Sequence, residues 1–230
     1  MRKGLLAVLS VAFGCLLLMV FGIHVLSQSL QRYDPLSPET GGTQRFPLAV
    51  EGTPMAALQL MRYVGPFWED GTGGTVAEVA ALLVENTGGE FVAQGAVVLQ
   101  WERMTLVFEV YLLPPGGKAL VLEKDRQSMP EAAPTQCYGW SRGEYPDHMQ
   151  QITVEEAGGV TMAVENRSGE LIRLVQISYK TQSRESGIFL GGIAYTVELR
   201  NLRPGERRLV TPFRYVCGNS QVVRIQVYYE

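Results

Sequence analysis

Beyond the first thirty residues, one histidine, two cysteines and a few adjacent carboxylates are the side chains best suited to catalysis or metal binding. Cys137 and His148 have the residue types of a nucleophile and its base, but no thiol-enzyme signature surrounds them. A zinc site would need Cys137, Cys217 and His148 to converge with a carboxylate, because no HExxH, CxxC or paired-histidine set occurs locally. Serine chemistry lacks a G-x-S-x-G elbow and an S-x-x-K motif, and Gly71-Thr72-Gly73-Gly74 has glycines without the lysine and helix of a phosphate loop. The neighbours Glu69/Asp70 and Glu155/Glu156 are the carboxylates open to glycosidase-like work, although acids in turns are ordinarily just solvated. The inventory points to a non-enzyme with no catalytic residues, no cofactor and no metal.

Aromatic residues offer a different chemistry. Tyr63, Phe67 and Trp68 cluster early, and Tyr138 and Trp140 follow later. Exposed on a β surface, such rings stack on sugars or anchor a protein partner through apolar area with a polar edge. Buried, the same five would plug a junction between two modules.

The elements that carry these residues alternate with period two, the mark of strands with one buried face. Ile193, Tyr195, Val197 and Leu199 fall on one face, with Thr196, Glu198 and Arg200 on the other. The same alternation runs through Leu106, Phe108 and Val110, through Val160, Met162 and Val164, and through Val223, Ile225, Val227 and Tyr229. Val79–Val84 and Phe91–Trp101 are apolar on both faces, as central strands are. Alanine and leucine also suit a helix over the first of these, but its shortness and the Asn86-Thr87-Gly88-Gly89 turn after it favour a strand.

These strands repeat. Val84-Glu85-Asn86-Thr87-Gly88-Gly89-Glu90 returns eighty residues later as Val164-Glu165-Asn166-Arg167-Ser168-Gly169-Glu170. Leu113-Pro114-Pro115-Gly116-Gly117 is matched by Leu202-Arg203-Pro204-Gly205-Glu206, at an offset of 89, which places a nine-residue insertion around Gln182–Gly191. The expected fold is all-β, with two tandem antiparallel β-sandwich modules of immunoglobulin-like type at residues 56–142 and 143–230. Asn166-Arg167-Ser168 is a formal N-glycosylation sequon. Its twin Asn86-Thr87-Gly88 is not, so the asparagine is read as a turn residue that tolerates positive φ.

Before the modules, Gly4 to Leu26 form 23 residues interrupted only by Ser10 and His24. That length crosses a hydrocarbon layer of about 30 Å as a helix. Arg2 and Lys3 precede it, so the N-terminus is expected in the cytoplasm and the remainder outside. Residues 1–28 read as a transmembrane anchor in the lipid bilayer, with a cleaved signal peptide as the alternative. Residues 29–55, rich in Ser, Pro, Gly, Gln and Thr, read as a stalk. Beyond the anchor, 18 of the 20 Lys and Arg face all 23 Asp and Glu, a balance that disfavours nucleic acid. In an oxidising compartment Cys137 and Cys217 have two readings. One is a disulfide, stabilising by roughly 4 kcal/mol in the chain-entropy model; the other is a pair of buried thiols.

Gly65-Pro66-Phe67-Trp68-Glu69-Asp70-Gly71, the paired Val-Glu-Asn turns, Leu120–Lys124, Tyr179-Lys180 and Leu190-Gly191-Gly192-Ile193-Ala194-Tyr195 give the chain a resemblance. Over residues 60–230 it resembles uncharacterised membrane-anchored ectodomain proteins of Gram-positive bacteria with immunoglobulin- or fibronectin type III-like modules. The resemblance implies location and fold and brings no catalytic residue. The expected function is therefore a non-enzymatic membrane-anchored extracytoplasmic protein whose modules bind or space a protein or glycan partner in the cell envelope. The alternatives are an envelope-acting hydrolase with its site at the module junction, and a scaffold subunit of a membrane complex.

Overall fold

The computed structural model describes residues 43–71, 73–143 and 150–229. The expected anchor and His148 lie outside them, and among the described residues no helix is long and apolar enough to cross a membrane.

Fourteen strands form the described chain. β1 (Thr43–Ala49), β2 (Met55–Pro66), β3 (Thr75–Asn86), β4 (Val92–Gln100), β5 (Thr105–Leu113), β6 (Lys118–Leu122) and β7 (Gln136–Arg142) come first. β8 (Ile152–Glu156), β9 (Met162–Asn166), β10 (Ile172–Thr181), β11 (Phe189–Leu190), β12 (Tyr195–Leu202), β13 (Arg207–Val210) and β14 (Ser220–Tyr228) follow. Thr43–Ala49, expected within the stalk, is instead an edge strand on β2. Ladder bonds come from the backbone, so its side chains needed no apolar period to pair.

Alternation does place the core. Leu106, Phe108 and Val110 of β5 are fully buried, while Val107, Glu109 and Tyr111 between them are only half-buried. They pack with Leu82 and Val84 of β3 and Val97 and Leu99 of β4 into a first apolar core. Val175 and Ile177 of β10, Leu199 of β12 and Ile225 of β14 pack with Met162 and Val164 of β9 into a second. β3 is a central strand between β2 and β6, buried on both faces over Val79–Val84, so the strand reading holds. Val160 is exposed, because β9 begins only at Met162.

Each core lies between two sheets of matching order. β2-β3-β6 lies opposite β5-β4-β7, and β8-β9-β13 lies opposite β12-β10-β14. The duplication reaches single hydrogen bonds. Asn86 Nδ2 donates to the carbonyls of Glu90 at 2.8 Å and Leu113 at 3.0 Å, and Asn166 Nδ2 donates to those of Glu170 at 2.8 Å and Leu202 at 3.0 Å. Their Oδ1 atoms accept the amides of Gly88 and Ser168. Positive φ was the expected reason for these asparagines, but it falls elsewhere in the repeat, at Leu112 and Asn201, 49° and 54°. Asn86 and Asn166 are fully buried and act through their carboxamides, tying a turn to the end of a strand from the same module. A buried carboxamide that donates both its hydrogens also makes Asn166 no acceptor for a glycan.

The nine-residue insertion has a structural role. Gln182 bridges back to Phe189, and β11 pairs parallel with β6, so a segment of the second copy extends the first copy's sheet.

Candidate functional site

Where the insertion ends, Gly191 and Gly192 meet the β2–β3 connection. The β2–β3 connection is held by its own aromatics: Tyr63 Oη donates to the Pro66 carbonyl at 2.9 Å, and Trp68 Nε1 donates to Tyr63 Oη at 3.2 Å. Arg126 lies over the Phe67 ring and reaches the Asp70 carboxylate at 2.6 Å. This connection presents Glu69. Its Oε1 accepts the backbone amides of Leu122 and Gly192, both at 2.8 Å, and Oε2 also accepts Gly192 N–H at 3.0 Å.

From the second half of the chain, Lys180, the penultimate residue of β10, is fully buried. Its ammonium donates to the carbonyls of Tyr111 at 2.9 Å, Gly192 at 2.8 Å and Ile193 at 2.7 Å. Three carbonyls match the three donors of a charged lysine, and a neutral amine would leave one unserved. Burial pushes the Glu69 carboxyl up to about 7, opposed by the Gly192 and Leu122 amides and by Lys180. Burial also pushes the Lys180 ammonium down to about 7, opposed by the charge of Glu69. The Glu69 side chain is half-buried and borders a cleft, so solvent reaches part of it. Gly192 is required here, since a Cβ would run into the backbone carbonyl of Glu109. At Gly191, φ is +85° and a Cβ would lie 2.8 Å from that of Trp68.

Above this clamp, the junction opens as a cleft of about 750 Å³. Gln94, Glu109 and Tyr111 from the outer face of β4 and β5 line one side. Ser178, Arg224, Gln226 and Tyr228 from β10 and β14 line the other, and Ile193 and Ala194 also border it. Tyr111 Oη donates to Glu109 at 3.2 Å, and Lys124 pairs with Glu109 at 3.3 Å. Burial and the charge of Glu109 push the Tyr111 phenol up.

The five aromatic candidates part company. Tyr63 and Phe67 are buried and Trp68 is half-buried, all serving the β2–β3 connection. Tyr138 and Trp140 lie on β7, 38% and 44% exposed, on the open face of the β5-β4-β7 sheet. Cys137 and Cys217 are free thiols, one packed against each core, so the disulfide weighed from sequence is not formed. Burial pushes the Cys137 thiol up. No group of three or more His, Cys, Asp or Glu that could hold a metal occurs among the described residues.

Glu155 pairs with Arg207 at 3.5 Å, and Glu156 accepts the Gly218 amide, so these carboxylates are tied to surface partners. Lys180 had no local signal, because its position follows an ordinary polar-out alternation. The Gly191-Gly192 pair was the one sign of a close backbone approach.

No family model and no curated protein matches the chain. Two solved structures of allantoicase, one of them from Saccharomyces cerevisiae, align at 6% and 7% identity over 66% of this chain and 78% of theirs. Their TM-scores are 0.15 and 0.14, too low for a shared fold.

Proposed function

We propose that the chain is a non-enzymatic, membrane-anchored extracytoplasmic protein whose two immunoglobulin-like modules are locked together and present the junction cleft to a protein or glycan partner in the cell envelope. The anchor rests on Gly4–Leu26 with Arg2 and Lys3 before it. The module type rests on strand order, with β2, β3 and β6 in the places of strands A, B and E, and β4 and β7 in those of C and F. The observation that carries the function is the position of the cleft. It opens where the modules meet, and module junctions favour ligand sites.

The geometry weighs against a hydrolase. Both Glu69 oxygens already accept backbone amides, and Glu109 is tied to Lys124 and Tyr111, so neither carboxylate is poised to pass a proton to a substrate. A site-specific photocrosslinker placed at Gln226 on intact cells tests the reading. The expected result is one envelope adduct, absent when Arg224→Glu is added. An unchanged adduct, or none, contradicts it. Protease added to the same cells should remove the C-terminal portion, and its full protection would overturn the location.

A further inference from the structure

The cleft is polar without being strongly charged. Gln94 and Gln226 offer carboxamides, Tyr111 and Tyr228 offer phenols, and the carboxylates of Glu69 and Glu109 are offset by Arg224 in the wall and by Lys124 and Lys180 behind it. A protein interface of this size would need an apolar centre depleted of charge. A polyanion would need cations in excess.

The open sheet face beside the cleft adds what the cleft lacks. Trp140 pairs with Ala96, and Ala96 pairs with Glu109, so the three side chains share one face with Trp140 two strand spacings, about 10 Å, from the cleft wall. Tyr138 stands two residues along β7 from Trp140, on the same face. Tyr228, 43% exposed, lines the opposite wall. The free edge of β7 is itself occupied, because Glu51 accepts the Gly139 amide at 2.9 Å and donates to the Cys137 carbonyl at 3.4 Å. Strand addition is thus blocked along the middle of β7, and its outward side chains are left as the binding elements.

Apolar flat rings flanking a trough of donors and acceptors in which no sign of charge dominates match a molecule with apolar ring faces and hydroxyl edges. Granted that the cleft is the binding site, we infer that its ligand is an extended, uncharged polysaccharide chain. Tyr138 and Trp140 stack beneath its sugar rings on one side and Tyr228 on the other, while Gln94 and Gln226 hydrogen-bond its hydroxyls between them.

The test uses the full chain in a detergent without a sugar headgroup. Cosedimentation is measured with whole envelope and with the insoluble glycan left after hot detergent and protease, and hexamers of glucose and of N-acetylglucosamine serve as competitors. The expected result is binding to the stripped glycan, displaced by at least one hexamer, and weakened about tenfold or more by Trp140→Ala, a loss of roughly 1.4 kcal/mol. Gln226→Ala should weaken it as well. Both residues are at the surface, and an unchanged unfolding midpoint confirms each variant is folded. Binding to whole envelope alone, lost in Arg224→Glu, would identify a protein partner. That outcome overturns the sugar inference and leaves the cleft reading standing. Binding to neither preparation, or binding untouched by all three substitutions, overturns both.

Discussion

Glu69 and Lys180 hold the two polar ends of the same residue: the carboxylate takes the N–H of Gly192 and the ammonium takes its carbonyl oxygen. Glu69 follows β2 and Lys180 lies on β10, so the charges act across the peptide segment they grip. Removing either leaves the other among backbone dipoles aimed at its charge.

Lys180→Met should therefore be costly. It strips three carbonyls of their donor, a loss of about 1–3 kcal/mol for the buried Gly192 carbonyl left unpaired. The double variant Glu69→Gln/Lys180→Met should cost less than the sum of the singles, with a coupling of about 0.5–3 kcal/mol. Urea midpoints of the four proteins measure it, and strict additivity would mean the two groups do not cooperate.

The same pair sets a pH dependence. Glu69 titrates near 7 in the folded chain against 4.5 unfolded, so the native state holds that proton more tightly and ionisation weakens folding. Wild-type stability relative to Glu69→Gln should fall as pH rises from about 4.5 to about 7. Lys180, lowered from 10.5 to about 7, contributes the opposite slope above that point, where the unfolded chain binds more protons. Urea unfolding of the wild type, Glu69→Gln and Lys180→Met from about pH 5 to about pH 9 reads both signs, and a flat difference between wild type and Glu69→Gln from about pH 5 to about pH 7 would contradict the assignment.

Gly192→Ala tests the closeness of the modules. Its methyl group collides with the Glu109 carbonyl, whereas a methyl at Gly89 meets nothing within 4 Å. Calorimetry should show the single transition of the wild type separating into two for Gly192→Ala and unchanged for Gly89→Ala.

Asn86→Ala and Asn166→Ala should destabilise by similar amounts, about 1–3 kcal/mol each, because each strands one buried carbonyl, that of Leu113 or Leu202. Equilibrium unfolding gives both numbers. A glycosidase should leave the mass of the native protein unchanged, since the Asn166 amide faces inward.

Cys137 and Cys217 should both react with a thiol reagent on unfolding without reductant, and reductant should leave the unfolding midpoint where it was. A mass corresponding to an oxidised pair would place Cys137 and Cys217 in a geometry other than the one described.

Much of the fold was legible because its causes are local. Leu106, Phe108 and Val110 point inward because successive side chains of a strand face opposite ways, and Val223, Ile225 and Val227 do so for the same reason. The paired asparagines marked equivalent turns, and the changed offset after them located the insertion. β1 was missed because it pairs through the backbone. Tyr63 and Phe67 suit a binding surface by residue type, but residue type does not reveal whether an aromatic is buried, as both are.

The residues themselves determined an all-β chain, its duplication and the absence of recognisable catalytic motifs, since alternation, turn chemistry and residue inventory are properties of neighbours along the backbone. Only the tertiary structure decided that Glu69, Tyr111, Lys180 and Gly192 meet, and that a polar cleft opens above them. No periodicity encodes such a meeting, because it depends on how residues distant in sequence pair, β11 with β6 above all.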